Sequence, residues 1–175
     1  MRNRDAVAGF TLIELLVTIT LAAILLGIAV PSFRGMVANN RLVTQTNDFV
    51  GAVNFARSEA ITSNTNVTLC RVASAAATAC AGSLAPWTEW IVRNAGGTVI
   101  RRGAVATFGG TVKVSSNLTL DSVTFSSDGL ARTGGDLVNN LNFTVCTTTA
   151  ANNNFRQVTL GAGSRLSTTK STGTC

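Results

Sequence analysis

The chain reads as an α+β protein: a long N-terminal helix, half transmembrane and half amphipathic, packed on a small antiparallel β-domain with two disulfides. Three observations predict this. The run from Phe10 to Val30 is apolar except for Glu14 and a few small or hydroxyl residues. A stripe repeating every three or four residues follows it, and beyond Ser63 the period changes to two, in short segments punctuated by Gly, Asn and Ser. The apolar run is about 21 residues, or roughly 30 Å of helix, enough to cross a bilayer's hydrocarbon core.

Ahead of the run stand nine mostly polar or small residues, with Arg2 and Arg4 against Asp5. A secretory signal peptide is cut after an apolar run of roughly 7–15 residues, behind small residues. Here the run is longer, and Ala29-Val30-Pro31-Ser32 is a poor match to such a site. Arginines before the span place the N-terminus in the cytoplasm and the remainder outside it. A lone carboxylate inside the span costs about 2.5–3.5 kcal/mol on insertion scales, so Glu14 calls for a partner. Leu15 to Val30 offers no cation. The nearest candidate is a free amine at Phe10, created if the chain is cut after Gly9.

Gly9-Phe10-Thr11-Leu12-Ile13-Glu14-Leu15-Leu16 resembles the prepilin leader junction of type IV pilins and type II secretion pseudopilins, and Pro31 also falls on that pattern. The resemblance implies a type IV pilin-like fold, cleavage between Gly9 and Phe10 by a prepilin peptidase, N-methylation of Phe10, and a need for Glu14 in assembly. Residues 1–9 are then the leader, 10–30 the transmembrane and assembly helix, 31–62 an amphipathic helix, and 63–175 a periplasmic β-rich domain.

Pro31 removes one helical hydrogen bond and should kink the helix without necessarily ending it; two helices hinged there are the alternative. Beyond it, Leu42, Thr46, Phe49, Val53, Ala56 and Ala60 form the stripe, widened by Val50 and Ile61. Arg41, Gln45, Asp48 and Arg57 fall mostly on other faces. One helix from about Phe10 to Thr62 is expected. The phrase Val53-Asn54-Phe55-Ala56-Arg57-Ser58-Glu59-Ala60 resembles the helix end of H-type pseudopilins and FimT/FimU-type minor pilins.

Ser63-Asn64-Thr65-Asn66 is a turn cluster, and strands follow. Val67–Val72 alternates with a period of two, and Trp87–Val92, Thr98–Arg102, Thr111–Val114, Ser122–Ser126, Leu141–Thr147 and Arg156–Leu160 are the other candidates. Such spacing means antiparallel sheets and not βαβ units. Val123 to Arg132 is the clearest hairpin, turning at Asp128-Gly129, and it too resembles that minor-pilin group.

Four cysteines, Cys70, Cys80, Cys146 and Cys175, lie beyond the span. An even count in an oxidising compartment reads as two disulfides, with three connectivities open. The expected pairing is Cys70 with Cys80, closing an Ala-rich loop, and Cys146 with Cys175, pinning the tail. A zinc site lacks both CxxC and histidine.

The chain has no histidine, which removes the usual neutral-pH general base and His-based triads. No nucleophile elbow, phosphate-binding loop or paired carboxylates appear; Asp128 reads as a turn residue, and Gly96-Gly97, Gly109-Gly110 and Gly134-Gly135 as loop glycines. A non-enzymatic protein without a cofactor is expected.

The formal charge is +6; removing Arg2, Arg4 and Asp5 with the leader leaves +5. Arg101-Arg102, Arg132, Arg156, Arg165 and Lys170 would suit a polyanion if they converged on one face. FimT-like minor pilins carry a Gly-Arg-x-Arg motif before the last cysteine that binds DNA. This tail has Gly163-Ser164-Arg165-Leu166 and then Lys170, only part of that pattern, so a solvated basic loop is the preferred reading and DNA contact through Arg165 and Lys170 the less favoured one.

The resemblance thus implies a minor pilin of a type IV pilus, priming assembly from the inner membrane and sitting near the fibre tip. Its partners would be other minor and major pilins, the prepilin peptidase and the inner-membrane assembly platform. An H-type pseudopilin of a type II secretion system and a DNA-binding minor pilin of natural transformation are the alternatives.

Overall fold

The computed structural model describes residues 10–148 and 153–175, so residues 1–9, the expected leader with Gly9, lie outside the described residues. One helix, α1 (Leu12–Ser63), runs unbroken through position 31, and the hinged alternative does not form. Thr11 caps it: its Oγ1 accepts from the Glu14 amide at 3.2 Å. Glu14 therefore sits in the first turn, where a negative charge meets the positive end of the helix dipole. At the other end Asn64 takes a left-handed conformation, and the Thr65 amide donates back to the Ala60 carbonyl at 3.2 Å, closing the last turn.

The stripe Leu42, Thr46, Phe49, Val53, Ala56 and Ala60 is buried, as its period requires. Thr46 satisfies its hydroxyl by donating to the Leu42 carbonyl at 2.6 Å. Gln45 departs from expectation. It is buried, because the chain after the third strand crosses over it, and its Oε1 accepts from the Ala106 amide at 2.8 Å.

The strands are β1 (Val67–Val72), β2 (Glu89–Asn94), β3 (Val99–Ala104), β4 (Val112–Ser116) and β5 (Ser122–Phe125). After them come β6 (Ala131–Thr133), β7 (Asp136–Leu137), β8 (Asn140–Thr147), β9 (Phe155–Gly161) and β10 (Arg165–Ser171). They form two sheets, in the orders β3-β2-β1-β5-β6-β7 and β10-β9-β8-β4, with antiparallel pairing throughout. The C-terminal half of α1 packs against both, touching β1, β2 and β5 of one and β8 and β9 of the other.

At their junction Phe49, Trp87 and Phe143 pack with ring centroids 5.5, 5.3 and 5.2 Å apart, two of the contacts edge-on. Such pairs add about 0.5–1.5 kcal/mol each beyond area burial. Trp87 was expected to open a strand, yet β2 begins at Glu89. The reason is a crossing: the Trp87 amide donates to the Val114 carbonyl of the other sheet at 2.8 Å. Three residues on, within β2, Trp90 lies opposite Gly103 of β3 and covers its backbone; a Cβ there would stand 2.1 Å from the indole Cζ2.

The tail corrects the expectation of a flexible Ser/Thr-rich loop. Residues 165–171 are an edge strand, paired in unbroken register from Arg165 opposite Gly161 to Ser171 opposite Phe155. Most of β10 is solvent-exposed, so it carries no apolar alternation by which a strand is recognised.

Both disulfides have the anticipated partners. Cys70–Cys80 closes the Ala-rich loop, and Cys146–Cys175 ties the end of the chain to β8, each with Cα atoms 5.6 Å apart.

Candidate functional site

Two surfaces carry most of the functional signal: the free half of α1 and the basic side chains of the domain. From Leu12 to Val30 the helix touches nothing else in the chain; every described side chain there is exposed. Its most apolar 18-residue window is wholly unburied. Such a surface is stable only against lipid tails or other apolar helices. Glu14 is its one charge, four residues from Phe10, which stands just outside the Thr11 cap and is 83% exposed.

Where the helix ends, the two phrases singled out in the sequence meet in space. The Asp128-Gly129 turn between β5 and β6 rests on the last turns of α1. Gly129 has φ +74°, and a Cβ on it would lie 2.8 Å from Ile61 Cδ1 and 3.3 Å from Arg57 Nε. Both conformation and closeness select glycine. Arg57 Nη1 donates to the Ser164 carbonyl at 3.0 Å, while Ser164 Oγ accepts from the Ala131 amide at 2.7 Å. Helix, hairpin and the turn before β10 are thereby tied at one point.

Asp128 closes its own turn. Its Oδ1 accepts from the Leu130 amide at 2.9 Å, and its Oδ2 pairs with Arg132 Nη2 at 3.1 Å. That amide, first, and then Arg132 hold the carboxyl below its ordinary value of 3.8.

The basic side chains do not converge. Arg101 lies over the Phe55 ring, 5.1 Å from its centroid, and 5.8 Å from that of Trp90. Arg102 Nη1 donates to the Ala75 and Ala77 carbonyls, holding the disulfide loop against β3. Arg132 is occupied by Ser126 and Asp128. Arg156 is buried, donating to the Asn153 and Phe155 carbonyls and to Asn39 Oδ1 on α1. Arg165 and Lys170 are exposed but five positions apart on one regular strand. Side chains alternate along a strand, so the two project from opposite faces, roughly 16 Å apart.

Sequence reasoning missed Asp121, the most heavily used carboxylate of the domain. It is buried and pairs with Arg71 Nε at 2.9 Å. It also accepts from the Ala85 amide at 3.1 Å, Trp87 Nε1 at 3.2 Å and Ser116 Oγ at 2.8 Å. No local pattern in the chain marks it, since its partners come from three separate segments, β1, the loop at Ala85–Trp87 and the end of β4.

Comparison with known proteins gives two family matches. The model described as type II transport protein GspH matches residues 45–164, and that of the prokaryotic N-terminal methylation motif matches residues 4–30. Two crystal structures of the Pseudomonas aeruginosa type IV minor pilin FimU share the fold. One has TM-score 0.53 at 15% identity, over 74% of this chain and 88% of that one. The other has TM-score 0.50 at 13% identity, over 72% and 90%. No curated protein matches the chain.

Proposed function

The chain belongs to the GspH family of pilin-type structural proteins, with the N-terminal methylation motif ahead of the domain, and on that premise we propose that it is a minor pilin of a type IV pilus. In this reading residues 1–9 are a leader removed by the prepilin peptidase on the cytoplasmic side. Residues 10–30 hold the protein in the inner membrane with residues 63–175 in the periplasm. The assembly platform then moves the helix into a fibre, where other minor and major pilins replace lipid around it. The protein primes assembly and stays near the tip.

The observation that carries the proposal is the free half of α1, a fully exposed apolar helix with the single acid Glu14 in its first turn. A surface of that kind suits two environments in succession, lipid and then a helix bundle. Support for the pilus comes from the similar fold of one type IV minor pilin, FimU, seen in two crystal forms.

The description of the matching family favours a second reading, an H-type pseudopilin of a type II secretion system. A DNA-receptor role has less support, because Arg165 and Lys170 stand on opposite faces of β10. Deleting the gene in its host separates the readings. Loss of sheared surface pili, with secreted enzymes at normal levels, supports the minor pilin; the reverse result overturns it in favour of the pseudopilin.

A further inference from the structure

Between Glu14 and Asp48 the only charged residues of α1 are Arg34 and Arg41. Seven positions apart, they share one face of the helix. There they line, with Phe33, Val37 and Ala38, an open groove of about 410 Å³ at the base of the domain. The segment from Val105 to Gly110, which passes over this end of the helix, carries no charge, and Arg41 stacks on its Phe108 with the guanidinium carbon 4.5 Å from the ring centroid. Neither arginine forms an ion pair among the described residues.

Depth along the helix adds a second constraint. Arg34 lies four residues past Val30, roughly 6 Å along the axis. The polar headgroup layer is itself roughly 5–7 Å thick on each side of the hydrocarbon core. Arg34 therefore stands at phosphate depth when 10–30 span the bilayer. Arg41 is about two turns farther out, but helical side chains lean toward the N-terminus, back toward the membrane. The exposed Phe33 and Met36 beside them suit the acyl boundary.

We propose that this groove seats the headgroup of an anionic phospholipid from the leaflet on the domain's side, before assembly. The phosphate meets Arg34 and Arg41, Phe33 covers the upper glycerol and acyl carbons, and Val37 lines the wall of the groove between the two arginines. Lipid bound there fixes the domain's height and tilt on the membrane surface. The inference rests on the membrane-anchored reading given above.

The test uses the full chain in detergent micelles, with native mass spectrometry against phosphatidylglycerol and phosphatidylcholine of identical acyl chains. The wild-type chain should prefer phosphatidylglycerol. The Arg34→Gln, Arg41→Gln double variant should lose about thirtyfold of that preference, the equivalent of about 1 kcal/mol per arginine at an anionic surface. Arg34→Lys, Arg41→Lys should retain it, since charge and not fork geometry carries the contact.

Carbonate extraction of native membranes runs in parallel. A chain released by carbonate overturns both the anchored reading and this one. A chain retained in the membrane that binds both lipids equally, or a double variant with unchanged preference, overturns the lipid seat alone. So does a photocrosslinker at position 37 that, in membranes of cells lacking the assembly platform, captures a neighbouring subunit in place of lipid, since the groove is then a protein contact before assembly.

Discussion

The carboxylate of Asp121 and the guanidinium of Arg71 form an ion pair at 2.9 Å with side chains only 2% and 8% exposed. Arg71 Nη2 donates further to the Ser83 carbonyl and, at 3.0 Å, to Ser83 Oγ. The pair joins β1 to the turn before β5 and to the loop leading into Trp87. Its remaining hydrogen-bonding capacity is used by Ala85, Trp87 and Ser116, the condition under which a buried pair persists.

Removing one partner should therefore cost more than removing both. Asp121→Asn leaves Arg71 charged and buried, and we expect a loss of about 3–5 kcal/mol. Adding Arg71→Met should recover part of it. Urea denaturation of the disulfide-intact protein, followed by Trp fluorescence, measures the cycle; equal losses for single and double variants would contradict it.

Asp128 gives a pH dependence of known sign. Its folded carboxyl titrates below 3.8, so the hairpin gains stability above the unfolded value and loses it as pH falls through the folded one. Carboxyl-carbon NMR should show the depressed titration. Arg132→Gln should raise it only in part, because the Leu130 amide is the larger cause. A titration at or above 3.8 in the unmodified chain would be the contrary result.

The two disulfides should differ in worth. Cys146–Cys175 closes 29 positions and Cys70–Cys80 closes 10. Chain-entropy estimates are about 3.6 and about 2.7 kcal/mol respectively. Cys146→Ser, Cys175→Ser should be the more destabilising pair, with exchange protection lost first along β10. Uniform loss of protection across both sheets would show that β10 is not a separable edge.

Processing and assembly can be read from one pair of experiments. Cleavage after Gly9 should yield a membrane-extracted chain whose intact mass begins at N-methylated Phe10. In the fibre, the Glu14 carboxylate should neutralise that new amine, because an unpaired charge in a dry helix bundle is costly. Glu14→Ala should insert and be processed normally yet be absent from sheared pili. Wild-type incorporation of that variant would falsify the pairing.

Whatever follows from local periodicity is legible in the order of the residues. The apolar run and the stripe from Leu42 to Ala60 state their structure within a few turns, because burial on one face repeats with the backbone's own period. Val67–Val72 is legible as a strand from its residue types over six positions, although both of its faces are buried. The Asp128-Gly129 turn was legible for the same reason: one residue supplies the positive φ and its neighbour the side-chain acceptor. Features whose partners lie far along the chain take shape only on folding. Gln45 is buried because the Ala106 main chain happens to cross it, and Arg156 because Asn39 of the helix lies within reach. Asp121 gains its place from Arg71, Ala85, Trp87 and Ser116 together. The strand β10 has no signature of its own, since an edge exposed to water needs no apolar face and is held by backbone bonds to β9. Non-local closure, unlike periodicity, leaves no mark on the residues it brings together until the chain has folded.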